Sequence, residues 1–170
     1  DTIDTFLLDS RGGNDRGRKI FNSLVASDET KELALKHFIQ AYLACVASVD
    51  DLVGQILDTL EKTELSENTI VVFTSDHGWG NGPKDYVYKN ALWEESTRVP
   101  LIIKVPELTQ GGIVCNHPVS LIDLYPTLQE LCNLSADNRI SEKGHRLDGH
   151  SLVPFIPVSY THLTLPTKRI

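Results

Sequence analysis

Thr69-Ile-Val-Val-Phe-Thr-Ser-Asp-His-Gly78 is a run of β-branched and aromatic residues that stops abruptly at two metal-competent side chains and a glycine. It reads as a buried strand over 69–75, of the kind found inside α/β proteins, where chemistry collects at the carboxyl ends of strands. Upstream, Leu35, Phe38, Ile39, Tyr42, Leu43, Val46, Val49, Val53, Ile56, Leu57 and Leu60 recur at three- and four-residue steps. That spacing predicts one long helix from about Asp28 to Thr63, bent near Gly54, with one face packed on a sheet. Asp28 and Glu29 suit its start, where negative charge meets the positive end of the helix dipole. Ser66-Glu67-Asn68 makes the turn between helix and strand. Helix, short turn and buried strand together predict an α/β fold, with a mixed or mainly parallel sheet packed by helices.

The remaining segments extend this pattern. Residues 1–27 are polar and glycine-bearing and read as irregular. Gly12 and Gly13 within them lack both a preceding strand and a following Gly-Lys-Ser/Thr, so they do not read as a phosphate cradle. Residues 76–89 form a glycine-rich loop, and Asn90 to Glu95 a short helix. Leu101 to Val105 is a second strand between Pro100 and Pro106, and Ile113 to Val119 a third. Leu121 to Leu131 is amphipathic, with Pro126 placing a helix start near Tyr125. Residues 134–150 read as loop, and Ser151 to Ile156 as a short apolar closing segment.

With 170 residues, 41% hydrophobic and 23% charged, the chain is long enough for one domain with a core. A net charge of −7 with no basic stripe argues against nucleic acid or an anionic membrane as partner. No apolar run approaches the ~20 residues of a membrane span. Cys45, Cys115 and Cys132 are widely spaced, with no Cys-x-x-Cys, and read as buried free thiols. Asp50 and Asp51 lie on the solvated face of the long helix. The chain starts at Asp1 without Met or a signal-like segment, and is expected to begin mid-protein.

Chemistry gathers around the first strand. Asp76 offers anionic oxygens and His77 an imidazole nitrogen, so adjacent residues just past a strand can reach one ion. Gly78 permits the sharp turn. Lys89 is a compact cation on a long stem, suited to an anionic substrate group. A cation beside a metal in a cleft suits a multiply charged oxyanion.

Phe73-Thr-Ser-Asp-His-Gly78, then Lys89, then Leu92-Trp-Glu-Glu-Ser-Thr-Arg-Val-Pro-Leu-Ile-Ile103, resembles the sulfatase family of the alkaline-phosphatase-like superfamily. Tyr42 to Gly54 upstream, with Pro118 to Leu128 and Leu147 to Leu152 downstream, extend the likeness over about residues 38–156. The resemblance implies a partial sulfatase catalytic domain over 1–157, an incomplete alkaline-phosphatase-like domain. It implies that Asp76 and His77 are ligands of a divalent metal, usually calcium, and that Lys89 contacts the sulfate. The partner it implies is a sulfated small molecule or glycan, and the compartment periplasmic, secreted or lysosomal. Oligomeric state is not legible.

Departures from the family pattern are equally specific. The family's nucleophile is a formylglycine made from a Cys/Ser-x-Pro-x-Arg motif, and no such motif occurs in this chain. The aspartates that complete the metal site in the family are missing too. The loop from Trp79 to Tyr88 carries none of the additional histidines of many relatives. The chain alone is therefore expected to be inactive. A phosphate- or phosphonate-ester hydrolase of the same superfamily, or a non-catalytic sulfatase-like binding protein, are the alternative readings. Finally, Val158-Ser-Tyr-Thr-His-Leu-Thr-Leu-Pro-Thr167 resembles the in-frame translation of a transposase-based sequencing-library adapter. Residues 158–170 are expected to be a non-native tail, and His162 takes no functional reading.

Overall fold

A computed structural model describes residues 16–109, 111–112, 114–135, 139, 141, 143–156 and 162–165. These residues fall into two compact units. One is built from the chain up to Thr63 together with Gly78–Ser96, the other from Glu64–His77 together with the chain from Thr97 onward.

The first unit opens with helix α1, Arg16–Val25, in a stretch that reads as irregular from its glycines and charges. The helix forms because Gly17 and Phe21, one turn apart, bury together while Arg16, Arg18 and Lys19 face outward. Gly17 is required there: the buried ring of Tyr86 occupies the space a Cβ would take. Residues 1–15, including Gly12 and Gly13, lie outside the described residues. Helix α2 runs Lys31–Glu61, continuous through Gly54. Thr30 is its N-cap, its hydroxyl accepting from the Leu33 N–H. Asp28, which charge alone places at the helix start, pairs instead with His37 Nδ1 at 2.7 Å.

Residues 79–89 are not a plain loop. Strands β2, Gly80–Gly82, and β3, Tyr86–Tyr88, form an antiparallel hairpin pairing Gly80 with Tyr88 and Gly82 with Tyr86. Its tip uses Gly82, Lys84 and Asp85 at φ values of 114°, 59° and 55°. A glycine-rich sequence hides such a strand, because it offers no side-chain periodicity. Trp79 meets Tyr88 edge-on at 5.4 Å between ring centroids, and Tyr86 meets Trp93 at 5.0 Å. Lys31 Nζ contacts Asp85 at 2.7 Å, tying α2 to the hairpin tip. A short helix α3, Glu94–Thr97, follows.

The second unit holds the core. Strand β1, Val71–Thr74, pairs antiparallel with β4, Val99–Lys104, in the register Val71 to Lys104 and Thr74 to Leu101. Strand β4 alternates cleanly: Val99, Leu101 and Ile103 are buried, while Pro100 and Lys104 are exposed. Val105, Cys115, Val119, Leu152 and Ile156 complete the cluster, with Ile70 and Val72 packed against it. Strands β5, Val114–Cys115, and β6, His162–Leu165, complete a four-stranded sheet in the order β1-β4-β6-β5. The fold is an incomplete α/β domain; the mixed pairing, β4 with β6 antiparallel and β5 with β6 parallel, runs through β6, which lies in the stretch expected to be a non-native tail. The third strand is shorter than its sequence suggests, and residues 158–161 and 166–170 lie outside the described residues. A 3₁₀ turn, Glu64–Asn68, precedes β1, and another, Leu121–Asp123, leads into helix α4, Leu124–Leu131.

Three expectations are corrected. Strand β1 is an edge strand of the sheet and only partly buried, with Phe73 36% exposed. Helix α2 is not bent at Gly54, but continuous from Lys31 to Glu61. Only Cys115 is a buried thiol; Cys45 and Cys132 are free and exposed.

The segment Leu147–Leu152 acquires a structural meaning. Asp123 uses one carboxylate oxygen to accept from the Ser120 N–H and the other to accept from the His150 N–H, both at 2.8 Å. Thr127, 1% exposed, donates to the Asp123 carbonyl at 2.6 Å and accepts from the Leu152 N–H at 2.8 Å. Between these bonds Gly149 presses against Ile122, whose carbonyl would overlap a Cβ. Gly149→Ala is therefore expected to destabilise the chain by about 1–3 kcal/mol. Gly54→Ala, in helix interior with open space around it, should stabilise by up to about 1 kcal/mol. Thermal midpoints of the two variants against the parent check both signs.

Candidate functional site

Strand β1 ends at Thr74, and the turn beyond it is held by hydroxyls. Thr74 Oγ1 donates to the Pro100 carbonyl at 2.8 Å, anchoring the strand end to β4. Ser75 Oγ donates to the His77 carbonyl at 2.9 Å, and the His77 N–H donates to Asp76 Oδ1 at 2.9 Å. These are the local side-chain-to-backbone bonds by which Ser and Asp turn a chain out of strand geometry.

The turn brings the two sequence-predicted donors together. His77 Nε2 lies 3.4 Å from Asp76 Oδ2. The Asp76 side chain is 82% exposed and that of His77 34% exposed, so the pair faces outward from the end of β1. With Oδ1 occupied by the His77 N–H, Oδ2 is the Asp76 oxygen that faces the imidazole. Among the described residues, no group of three or more His, Cys, Asp and Glu side chains converges as a metal centre.

Just past the pair, the Gly78 N–H donates to the Ser96 carbonyl at 2.9 Å. Ser96 is only 3% exposed, and its own N–H donates to the Trp93 carbonyl at 2.9 Å. The Trp93–Pro100 stretch thus has a positional role: its Ser96 carbonyl holds Gly78, and its Pro100 carbonyl holds Thr74. Thr74, Ser75 and Ser96 escape a search for ligands and nucleophiles. The signal that marks the first two is their place as a pair of hydroxyl residues directly before Asp-His-Gly.

Lys89 lies in the first unit, directly after β3, and is half-buried. Its carbonyl accepts from the Ala91 N–H at 2.8 Å. The hairpin that carries it is fixed by the Tyr86 hydroxyl, which donates to the Asn90 carbonyl at 2.9 Å. On β2, the buried Oδ1 of Asn81 has no hydrogen-bond partner among the described residues. Arg16 at the start of α1 lies over the Tyr88 ring, 4.9 Å from its centroid.

Comparison with known proteins bears directly on this segment. A sulfatase of Formosa agariphila is 44% identical over 108 residues, covering 64% of this chain and 21% of the relative. Arylsulfatase K of Xenopus laevis is 37% identical over 129 residues, 76% of this chain and 23% of the relative. Choline-sulfatase of Rhizobium meliloti is 36% identical over 117 residues, 69% of this chain and 22% of the relative. The chain thus spans about a fifth of the length of the curated relatives it matches. Among solved structures, a protein in complex with its substrate D-glucosamine-2-N,6-O-disulfate superposes with a TM-score of 0.62 at 29% identity. That match covers 82% of this chain and 26% of the other. The sulfatase family model matches residues 9–134, a span that holds Asp76, His77 and Lys89, and the chain belongs to the sulfatase family.

Proposed function

We propose that this chain is part of an enzyme that hydrolyses a sulfate ester, with Asp76 and His77 as two ligands of a divalent cation and Lys89 as a contact to the sulfate. The observation that carries the proposal is the 3.4 Å separation of Asp76 Oδ2 and His77 Nε2 at the end of β1. At a bond length of about 2.4 Å, two atoms that far apart subtend about 90° at a common ion, an ordinary angle between neighbouring ligands. The spacing therefore suits a shared divalent ion, although the imidazole nitrogen of His77 is an unusual ligand for calcium, which prefers oxygen. Calcium is the family's usual ion and takes about six to eight oxygen ligands, so most of the coordination shell must come from other residues. A bound cation would polarise the sulfate oxygens and offset charge on the nucleophile.

Each residue then has a task of its own. Asp76 spends one oxygen on the His77 N–H and presents the other. His77 is oriented through its backbone, its carbonyl held by Ser75. The ammonium of Lys89 offers a point charge to a sulfate oxygen as negative charge develops there. No group in this chain occupies a nucleophile motif, so the attacking formylglycine belongs to a part of the domain that this chain does not carry. A sulfated sugar, as in the solved relative, and smaller sulfate esters such as choline sulfate are the substrate classes that follow from its neighbours. Residues 158–170 have no part in this reading. Resequencing the locus across the codon for Pro157 tests whether they are an adapter read-through.

The purified 170-residue chain should show no turnover of an aryl sulfate with added calcium. Turnover that is lost on Lys89→Ala would overturn the assignment of the nucleophile to another part of the domain. In the complete reading frame, Asp76→Asn and Lys89→Ala should each lower kcat/KM for a sulfate monoester by about 100-fold or more. Of these two, Asp76→Asn alone should weaken metal binding measured by calorimetry. Greater activity on phosphate than on sulfate monoesters would assign the site to a phosphoester hydrolase instead. Ser75→Ala should weaken metal affinity about 10–100-fold, and Ser75→Thr, which keeps the hydroxyl, should restore it.

A further inference from the structure

Lys89 carries its ammonium on a long, flexible stem, so the backbone that holds its Cα sets where the charge can reach. That backbone is pinned at three consecutive carbonyls. The Tyr88 carbonyl accepts from the Ser96 hydroxyl at 3.5 Å, the Lys89 carbonyl from the Ala91 N–H at 2.8 Å, and the Asn90 carbonyl from the Tyr86 hydroxyl at 2.9 Å. Two of these donors are side chains, and Tyr86 and Ser96 are each only 3% exposed. Every residue of this arrangement lies in the first unit.

The Tyr86 ring is held in its turn. It meets Trp93 edge-on at 5.0 Å, and Gly17 and Gly80 leave open the space it fills. A phenylalanine would meet those packing demands, and a buried hydroxyl costs free energy unless it is bonded. The Tyr86 hydroxyl is spent on the carbonyl directly after Lys89, closing residues 86–90 into a loop around the lysine. We infer that Tyr86 is a positioning residue for the contact between Lys89 and sulfate, with the Ser96 hydroxyl as its counterpart on the other side of the lysine. This role rests on the reading of Lys89 as the sulfate contact. A displacement of about 1 Å in such a group costs up to about 100-fold in rate, so each hydroxyl acts on the reaction through the lysine.

The test is a double-mutant cycle in the complete reading frame, with an aryl sulfate as substrate. Tyr86→Phe keeps the ring and removes the hydroxyl. Ser96→Ala keeps the backbone bonds to Gly78 and Trp93. Tyr86→Phe is expected to lower kcat/KM about 10-fold when Lys89 is present and less than about twofold when combined with Lys89→Ala. Ser96→Ala should follow the same pattern with a smaller loss, and metal affinity measured by calorimetry should stay unchanged in both. Where the residual turnover of Lys89→Ala is too low to measure, calorimetric binding of inorganic sulfate supplies the same cycle. An equal loss from Tyr86→Phe with and without Lys89 would overturn the positioning role, because a hydroxyl that serves only stability lowers both backgrounds alike. So would an unchanged kcat/KM in Tyr86→Phe beside a large loss in Lys89→Ala. An unchanged kcat/KM in Lys89→Ala would instead remove the sulfate contact itself, and the positioning role with it. If Tyr86→Phe fails to fold, Ser96→Ala decides by the same criteria.

Discussion

The antiparallel pairing of β1 with β4 is the constraint on which the second unit depends. Its register sets Thr74 against Leu101, which puts the Thr74 hydroxyl within reach of the Pro100 carbonyl. A slip of one residue would turn Val99, Leu101 and Ile103 out of the core and move the end of β1 away from that anchor. The burial of those three side chains and the position of Asp76 and His77 are therefore one and the same choice. The hydrophobic alternation of β4, together with its Pro100 carbonyl, fixes where Asp76 and His77 emerge from β1.

Polar bonds then do locally what the core cannot. The turn after β1 is short, so its shape comes from Ser75, from the Asp76 carboxylate and from the Gly78 N–H held by Ser96. The same economy appears where Asp123 and Thr127 bind the backbone of His150 and Leu152. A buried threonine that both donates and accepts leaves no unsatisfied cost, and Thr127 can therefore sit at 1% exposure. The Leu147–Leu152 motif thus works through its backbone. Gly149 is selected by the closeness of Ile122, and Leu152 by its place in the core.

What the sequence discloses follows from what produces a periodic signal. Strand β4 alternates with period two and α2 with steps of three and four, and both are legible. The Asp76–His77 pair is legible too, because two donor types at a strand end are rare and neighbours in sequence must be neighbours in space. The hairpin of β2 and β3 is not legible: Gly80-Asn81-Gly82 carries almost no side chain from which a period could be read. Helix α1 is hidden for a related reason. Its glycine looks like a breaker but exists to admit the Tyr86 ring, a contact 69 positions away in the chain. Contacts of that range leave no mark on a local window.

The apolar surface that stays open is the other half of the same logic. An apolar stripe on a helix and the Val71-Val72-Phe73 run of β1 are each written for burial, and burial of a large aliphatic side chain contributes about 1.5–3 kcal/mol. Ile56 and Phe73 forgo much of that gain in this chain. The polar counterpart is Asn81, whose buried Oδ1 lacks the donor that would offset about 1–3 kcal/mol of desolvation. An aliphatic stripe on α2, an aromatic on β1 and an amide on β2 thus make unmet demands of different kinds. A foldable sequence satisfies such demands together, because its local choices agree with one global structure.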